Sequence, residues 1–182
     1  MKNILMRQLS CESFEGGIDT RCLEPNVAGV QELFLATFDD ITVTVTGGTV
    51  TAITGASGAT ADIYYSWQFR KNSASADTSY TFQDNGNATF TQTLTVTIPK
   101  QEKVKRDVMM SLSKAQTSMI VKDKNGLYWL YGKNFGCYLQ TLNAPTGLNS
   151  QTDTNGYTVT IQADEQELPL PVSDSLFPGI VI

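Results

Sequence analysis

The sequence predicts a mainly β protein of the α+β class: an antiparallel β-sandwich or barrel with one flanking α-helix. Several segments alternate between apolar and Thr or other polar residues, which is the period of two of a half-buried strand. Glycine dipeptides that suit tight turns, such as Gly47-Gly48, separate some of them. A clear helical repeat of apolar residues occurs only near residues 101–117. We therefore expect a sheet-rich core with one helix packed on it.

The 182 residues are enough for one domain with a substantial core, and we divide the chain into three parts. Residues 1–31 lack a sustained period and are interpreted as an N-terminal arm or lead-in. Residues 32–163 carry the strands and the helix of the predicted β-sandwich domain. Residues 164–182 are rich in proline and end in the apolar sequence FPGIVI, which predicts a C-terminal arm. Because apolar ends are a liability when exposed, we expect neighbouring subunits to order both arms.

Strands are expected in the first half of the chain wherever the alternation is clear. They are Glu32–Phe38, Ile41–Val45, Thr49–Ile53 and Asp62–Phe69. The last of these is the most aromatic, and its period of two places on one face Ile63, Tyr65, Trp67 and Phe69. We expect that face to belong to the core.

The longest predicted strand is Ala88–Ile98, which follows a hairpin signal at Asp84-Asn85-Gly86. Lys71–Asp77 is predicted to be a polar loop, with a short strand at Tyr80–Gln83 after it. The long strand has a Thr-rich face and an apolar face, and the apolar face consists of Phe90, Gln92, Leu94, Val96 and Ile98. Pro99 is expected to end the strand, because proline has no N–H to donate to a neighbour.

The predicted helix feeds a hairpin. The apolar stripe of the helix is expected to consist of Val104, Val108, Leu112 and Ala115, and its Lys and Arg residues are interpreted as a solvated face. The hairpin arms are Met119–Val121 and Leu127–Tyr131, joined by a turn in which Asn125 and Gly126 are both expected to have positive φ. Two further strands are predicted at Cys137–Leu142 and Tyr157–Ala163.

Histidine is absent from all 182 residues, which excludes Ser-His-Asp and Cys-His catalysis and histidine metal sites. Neither a phosphate-binding loop nor a dinucleotide-binding glycine motif occurs. Asp39-Asp40, and Asp123 with Asn125, offer oxygen ligands for a cation or carboxylates for glycoside hydrolysis, but their spacing is typical of turns. We therefore predict a protein that is not an enzyme and has no catalytic residue, cofactor or metal site.

The cysteines Cys11, Cys22 and Cys137 are an odd set without a CxxC pair, which favours free thiols. A Cys11–Cys22 bridge stays open as an alternative. The formal charge of −5 argues against binding of nucleic acid that is mainly electrostatic. No segment reaches the ~18 apolar residues of a membrane span, and the start of the chain lacks the apolar region of a signal peptide. We expect a soluble protein or part of an assembly, without a membrane anchor.

Five segments carry a further signal when they are taken in order. They are Gly29–Val45 (GVQELFLATFDDITVTV), Phe69-Arg70-Lys71, the TFTQTLTVTIPK before the helix, Val121–Gly136 (VKDKNGLYWLYGKNFG) and Thr146–Ile161 (TGLNSQTDTNGYTVTI). In this order and spacing the chain resembles the virion structural proteins of tailed bacteriophages that share the tail-tube fold. The N-terminal 28 residues and the proline-rich tail contribute nothing to the match.

The resemblance implies a tail-tube-like sandwich whose subunits form a closed ring, expected to be hexameric, around a DNA channel. The partners it implies are other copies of the chain and adjacent tail or neck proteins, with DNA as passing cargo only. It places the protein in the virion tail or neck, after synthesis in the cytoplasm of the host bacterium. The expected interface residues are Asn125, Gly126, Phe177, Ile180, Val181 and Ile182.

Two other functions stay open. A collar or head-tail adaptor ring fits the same features as a tail tube. A β-sandwich glycan-binding module or adhesin is the alternative of a different class, because aromatic side chains on strands can stack on sugars.

Overall fold

A computed structural model describes residues 27–56, 58–70, 73–84, 88–147, 155–177 and 179–182, and the structural statements below concern these residues. The predicted N-terminal arm up to residue 26, with Cys11 and Cys22, lies outside them, as do Asn85 and Gly86 of a predicted turn. Within the described ranges the chain is mainly β, with two sheets and one α-helix. This confirms the predicted fold class.

The described elements comprise eleven strands, one α-helix and two 3-10 turns. The strands are β1 (Val30–Thr37), β2 (Ile41–Thr46), β3 (Thr49–Gly55), β4 (Tyr65–Gln68), β5 (Ala74–Phe82), β6 (Ala88–Pro99), β7 (Thr117–Asp123), β8 (Tyr128–Tyr131), β9 (Tyr138–Asn143), β10 (Gly156–Glu165) and β11 (Leu170–Val172). The helix α1 (Lys103–Leu112) joins β6 to β7, and short 3-10 turns lie at Phe38–Asp40 and Asp174–Leu176.

The strands form two separate sheets, so the fold is a sandwich rather than a barrel. One sheet has seven strands in the order β2-β3-β11-β8-β7-β1-β4, and the other has four in the order β5-β6-β10-β9. Pairing between the named strands is antiparallel with one exception, the parallel contact of β11 with β3 through Val172 and Val50. Outside these strands, Tyr64 and Val181 form an isolated parallel bridge. The fold is thus antiparallel as predicted, with a short parallel contact at β11.

The main core lies between the two sheets, and the period of two in their strands builds it. From the seven-stranded sheet come Leu33, Leu35, Met119 and Val121, and from the four-stranded sheet come Leu94, Val96, Val159 and Ile161. The predicted apolar face of the longest strand is confirmed at its centre, where Gln92, Leu94 and Val96 are buried.

A second core covers the opposite face of the seven-stranded sheet. It contains Phe34, Ala36, Ile120 and Leu130 together with Val50, Ile53, Tyr64, Val172 and Ile180. β1 is thus covered on both sides, and its residues from Leu33 to Ala36 are all buried. A strand covered on both faces needs apolar residues without alternation, which is what ELFLATF contains.

The second core overturns the prediction that residues 164–182 form an arm on a neighbouring subunit. β10 continues to Glu165, and β11 is inserted between β3 and β8. Further on, Ile180 is 2% exposed, and its carbonyl accepts hydrogen bonds from the N–H groups of Ile63 (2.9 Å) and Tyr64 (2.8 Å). The C-terminal segment therefore completes the fold of its own chain.

Helix α1 is shorter than predicted, and of the predicted stripe Leu112 is buried as expected. It ends at Leu112 rather than near residue 117, and its buried residues are Met109 and Leu112. Val104 is 74% exposed and Val108 is 40% exposed, so the predicted buried stripe is wrong for both. These two valines instead line an open groove, which is described below.

The prediction of an aromatic strand is confirmed by β4, but the prediction of which residues face the core is wrong in part. Tyr65 is 61% exposed, whereas Tyr64, one residue earlier, is fully buried. The Tyr64 hydroxyl hydrogen-bonds with the Ser118 hydroxyl at 3.0 Å, and burial raises the pKa of Tyr64. Trp67 is partly buried against the main core. β4 is an edge strand, so nothing in its own sheet covers the far side of Tyr65.

The predicted loop Lys71–Asp77 is wrong in its second half. β5 already begins at Ala74, and its residues pair with β6 from Ala74 opposite Val96 to Phe82 opposite Ala88. The sequence did not predict this strand because its residues are small and mostly polar, which is also typical of a loop. The outward face of an antiparallel sheet can be polar as well.

The predicted hairpin after the helix is confirmed as β7 and β8, but its turn differs in one torsion angle. Among the described non-glycine residues only Asp62 and Lys100 have positive φ, so Asn125 does not, whereas Gly126 has φ of 89°. The N–H of Gly126 donates to the carbonyl of Asp123 at 3.2 Å. The turn therefore has one left-handed residue, Gly126, after two central residues with negative φ.

Gly126→Val is expected to lower the free energy of unfolding by ~1–2 kcal/mol, because a β-branched residue is strained at positive φ. A Cβ at this position has no atom within 4 Å, so the cost is backbone strain rather than a clash. Gly126→Asn is the matched control, since Asn tolerates the left-handed region and is expected to cost less. Urea denaturation measures all three proteins. A Gly126→Val variant as stable as wild type would contradict the turn geometry.

Candidate functional site

The candidate functional features of the described chain are surfaces of the sheets and of helix α1. Within the described ranges, no group of three or more His, Cys, Asp and Glu side chains is placed to hold a metal ion. None of the helices in this part of the chain has the length and hydropathy needed to cross a bilayer.

The carboxylates noted in the sequence lie far apart. Asp123 caps the β7–β8 turn by accepting hydrogen bonds from the N–H groups of Asn125 (2.8 Å) and Leu127 (2.9 Å) and from the indole of Trp129 (3.2 Å). Asp39-Asp40 is exposed in a 3-10 turn at the opposite end of the β1–β7 ladder. The structure thus gives Asp123 the role of a turn residue and does not bring the two sites together.

The six residues predicted for an interface separate into two places. Asn125 is exposed and Gly126 half-buried at the tip of the β7–β8 turn. Phe177 stacks on Tyr128 with 3.9 Å between ring centroids, and Ile180 is buried beside it in the second core. Val181 is half-buried, and Ile182 is 57% exposed. Phe177 and Ile180 therefore pack within their own chain.

The outer face of the four-stranded sheet is polar and nearly free of charge. We call it the hydroxyl face, and its centre consists of Asp77, Thr91, Thr93, Thr95, Thr160 and Gln162. The register places Thr93 between Asp77 and Gln162, and places Thr95 opposite Thr160. β5, β6, β9 and β10 contain no Lys or Arg, while Asp77 and Asp164 add negative charge.

Hydrogen bonds fix the side chains at one end of the hydroxyl face. Asp164 accepts from the hydroxyls of Thr91 (3.1 Å) and Tyr138 (2.9 Å) and from the amide of Gln162 (3.0 Å). Desolvation, followed by the neighbouring Asp164 carboxylate, raises the pKa of Tyr138. The Tyr138 hydroxyl therefore stays protonated, as its role as donor to Asp164 requires.

A buried carboxylate holds the loop between β8 and β9. Glu165 is 1% exposed and accepts hydrogen bonds from the N–H groups of Asn134 (2.9 Å) and Phe135 (3.0 Å) and from the Asn134 amide (3.0 Å). The buried Gln92 accepts from the N–H of Gly132 at 3.0 Å. Glu165 was not identified from the sequence. Its position could have been predicted, because Glu165 follows the same alternation as the inward-facing residues of β10.

The same end of the four-stranded sheet carries uncovered aromatic side chains. Tyr80 is 56% exposed and Phe82 is 64% exposed, although the register aligns them with the inward-facing Phe90 and with Ala88. The rings of Tyr80 and Phe90 are 5.0 Å apart between centroids. The β5–β6 hairpin therefore extends beyond the edge of the seven-stranded sheet, and the inward face of the hairpin is not covered at that end. We call Tyr80, Phe82 and Phe90 the aromatic end.

An apolar groove of about 530 Å³ lies on the flank of the sandwich, between α1 and the β4 edge. Tyr65 and Trp67 line it from β4, and Val104 and Val108 line it from α1, with Leu35 of β1 nearby. Asp107 and Ser111 also reach it. The sequence had placed Val104 and Val108 on one stripe of the helix, and the structure turns that stripe toward this opening.

Cys137 is a buried thiol rather than a reactive one. It is fully buried, and desolvation raises its pKa above the usual range of a thiol. It is not in a disulfide. The prediction of a free thiol is confirmed for Cys137, while Cys11 and Cys22 lie outside the described residues.

Comparison with models of known protein families, with curated proteins and with solved structures finds no match for this chain.

Proposed function

We propose that the chain is a non-enzymatic structural protein of a tailed-bacteriophage virion that assembles into rings of the tail tube around a DNA conduit. The observation that carries the proposal is the hydroxyl face: a sheet surface of Thr, Gln and Asp side chains without a cation in its strands. The proposal places this face toward the lumen.

A surface of this composition suits passage of DNA. Duplex DNA carries one phosphate charge per ~1.7 Å, and proteins retain it by placing Lys and Arg against those phosphates. β5, β6, β9 and β10 offer no such groups, and the carboxylates of Asp77 and Asp164 repel phosphates. DNA would therefore move past this face without being held.

The sheet edges support the ring. β5 and β9 are the edges of the four-stranded sheet, and each presents backbone N–H and C=O groups on one side. Closure of such sheets around an axis removes free edges, which is how barrels avoid uncontrolled strand pairing. Other copies of this chain are the natural partners for both edges.

The native mass of the purified full chain tests the proposal. We expect a concentration-dependent shift from monomer to one discrete closed oligomer in native mass spectrometry and sedimentation velocity. The resemblance implies a hexamer. A chain that stays monomeric at high concentration and low salt would refute the ring function.

Exposed aromatic residues favour a glycan-binding module as a second candidate. Tyr65, Tyr80 and Phe82 are each more than half exposed, and aromatic rings stack on sugar faces. A glycan array probed with the monomer separates the two functions. Specific binding by the monomer would favour the glycan-binding module, and a lack of specific binding would favour the ring. A collar or head-tail adaptor ring shares the predicted oligomer and is separated from a tail tube by its position in virions.

A further inference from the structure

We propose that copies of the chain associate head to tail, with the aromatic end of one copy inserted into the α1–β4 groove of the next. This inference deepens the proposed ring function and rests on it. It names a side-chain contact between neighbouring copies that adds to the pairing of the β5 and β9 edges, and we expect the ring to need both.

The aromatic end has the properties of an insertable anchor. Tyr80 and Phe82 are more than half exposed, yet they stand on a hairpin whose strands pair continuously from Ala74 opposite Val96 to Phe82 opposite Ala88. A rigid support limits the entropy lost on binding, and aromatic anchors dominate the energetics of many interfaces. The loop containing Phe135, which is 54% exposed, is fixed at the same end through Glu165, the register partner of Phe90.

The groove has the properties of a receptor for such an anchor. Its volume of about 530 Å³ has room for aromatic side chains, and its walls include Tyr65, Trp67, Val104 and Val108. Val104 is 74% exposed, an unusual exposure for an apolar residue that faces other apolar residues across an opening. Apolar surfaces of this kind on a folded chain mark interaction sites.

The two segments that carry these surfaces have opposite net charge, which argues for a second copy as the occupant, although among the described residues the one charged side chain that lines the groove itself is Asp107. Residues 74–99, which contain the hairpin, have Asp77 and Asp84 as their charged residues and no Lys or Arg. Residues 100–114, which contain α1, have five cations and two carboxylates. An adjoining pocket that shares Trp67 with the groove adds Arg70 and Lys105 to the rim. Complementary charge of this kind orients two partners and accelerates their encounter.

The two surfaces are different parts of one chain, so the contact is heterologous. A heterologous contact repeats from copy to copy and gives a closed ring when the rotation divides a full turn. An isologous contact would stop at a dimer. The predicted ring therefore requires two complementary surfaces of this type.

Two single variants, each with one surface disabled, test the proposal in the full chain. Phe82→Asp disables the aromatic end, and Val104→Asp disables the groove; both side chains are exposed, so circular dichroism is expected to match wild type. Leu127→Asp is the matched control, because Leu127 is 51% exposed beside the β7–β8 turn, at the end of β7 away from the groove. Native mass spectrometry measures the size of each protein and of an equimolar mixture.

We expect Leu127→Asp to form the wild-type oligomer and each test variant alone to be monomeric. The mixture is expected to give a one-to-one dimer and nothing larger. The Val104→Asp variant keeps an intact aromatic end and the Phe82→Asp variant keeps an intact groove, so only one productive contact can form. Formation of that dimer also shows that both variants are folded at the intact surface.

Several outcomes separate the inference from the proposed function. A wild-type ring with either test variant still forming rings, or with a mixture that stays monomeric, overturns the head-to-tail contact and leaves the ring function standing. A wild-type protein that forms open filaments while the mixture gives dimers supports the contact and contradicts the closed ring. A wild-type protein that remains monomeric overturns both.

Discussion

Ile180→Ala is expected to lower the free energy of unfolding by ~2–5 kcal/mol, the usual cost of removing a large aliphatic side chain from a core. Ile180 is 2% exposed and packs in the second core with Phe34, Tyr64 and Val172. Deletion of residues 177–182 is expected to unfold the domain, because it also removes the carbonyl that pairs with the N–H groups of Ile63 and Tyr64. Urea denaturation followed by circular dichroism measures both changes.

Ile182→Ala is the matched control for this prediction. Ile182 is the same residue type two positions later and is 57% exposed, so its truncation is expected to change stability by less than ~0.5 kcal/mol. Its N–H bond to the carbonyl of Tyr64 (2.8 Å) is kept in the variant. Equal effects at positions 180 and 182, or a deletion that leaves the fold intact, would restore the idea of a detachable C-terminal arm.

Glu165→Ala is expected to lower the free energy of unfolding by ~2–4 kcal/mol, because part-buried N–H groups lose a charged acceptor that lies in the core. The affected donors are the N–H groups of Asn134 and Phe135 in the β8–β9 loop. Their acceptor, the Glu165 side chain, is 1% exposed. Glu165→Gln keeps one oxygen acceptor and is expected to cost less. Thermal and urea denaturation measure the series.

Asp164→Ala provides the control, since it removes the neighbouring carboxylate on the exposed face of the same strand. Asp164 accepts hydrogen bonds from Thr91 and Tyr138, but water can replace it there, so a cost below ~1 kcal/mol is expected. If Glu165→Ala and Asp164→Ala were equally mild, Glu165 would not support the loop.

The strands were the part of the fold that the sequence predicted best. β6 and β10 alternate strictly because one face is buried and the other is polar, and a local pattern reveals that. β11 was missed because it has three residues with Pro171 at its centre, which the rule against proline in inner strands excludes. Its place between β3 and β8 depends on contacts distant in sequence.

The candidate surfaces could be predicted only in part. The Thr row of β6 was visible in the sequence, but the hydroxyl face needs the order β5-β6-β10-β9, which local patterns do not contain. The stripe of Val104 and Val108 was detected and assigned to the core, because an apolar helix face has the same pattern whether it is buried or lines a groove. Exposure distinguished the two, and exposure follows from tertiary packing.

An electron cryomicroscopy reconstruction of the assembled full chain shows which surface lines the ring. We expect a closed ring with an open lumen, lined by the face that carries Thr93, Thr95 and Thr160. Particles without a ring, or a ring with that face turned outward and the lumen lined by Lys and Arg side chains, would contradict it.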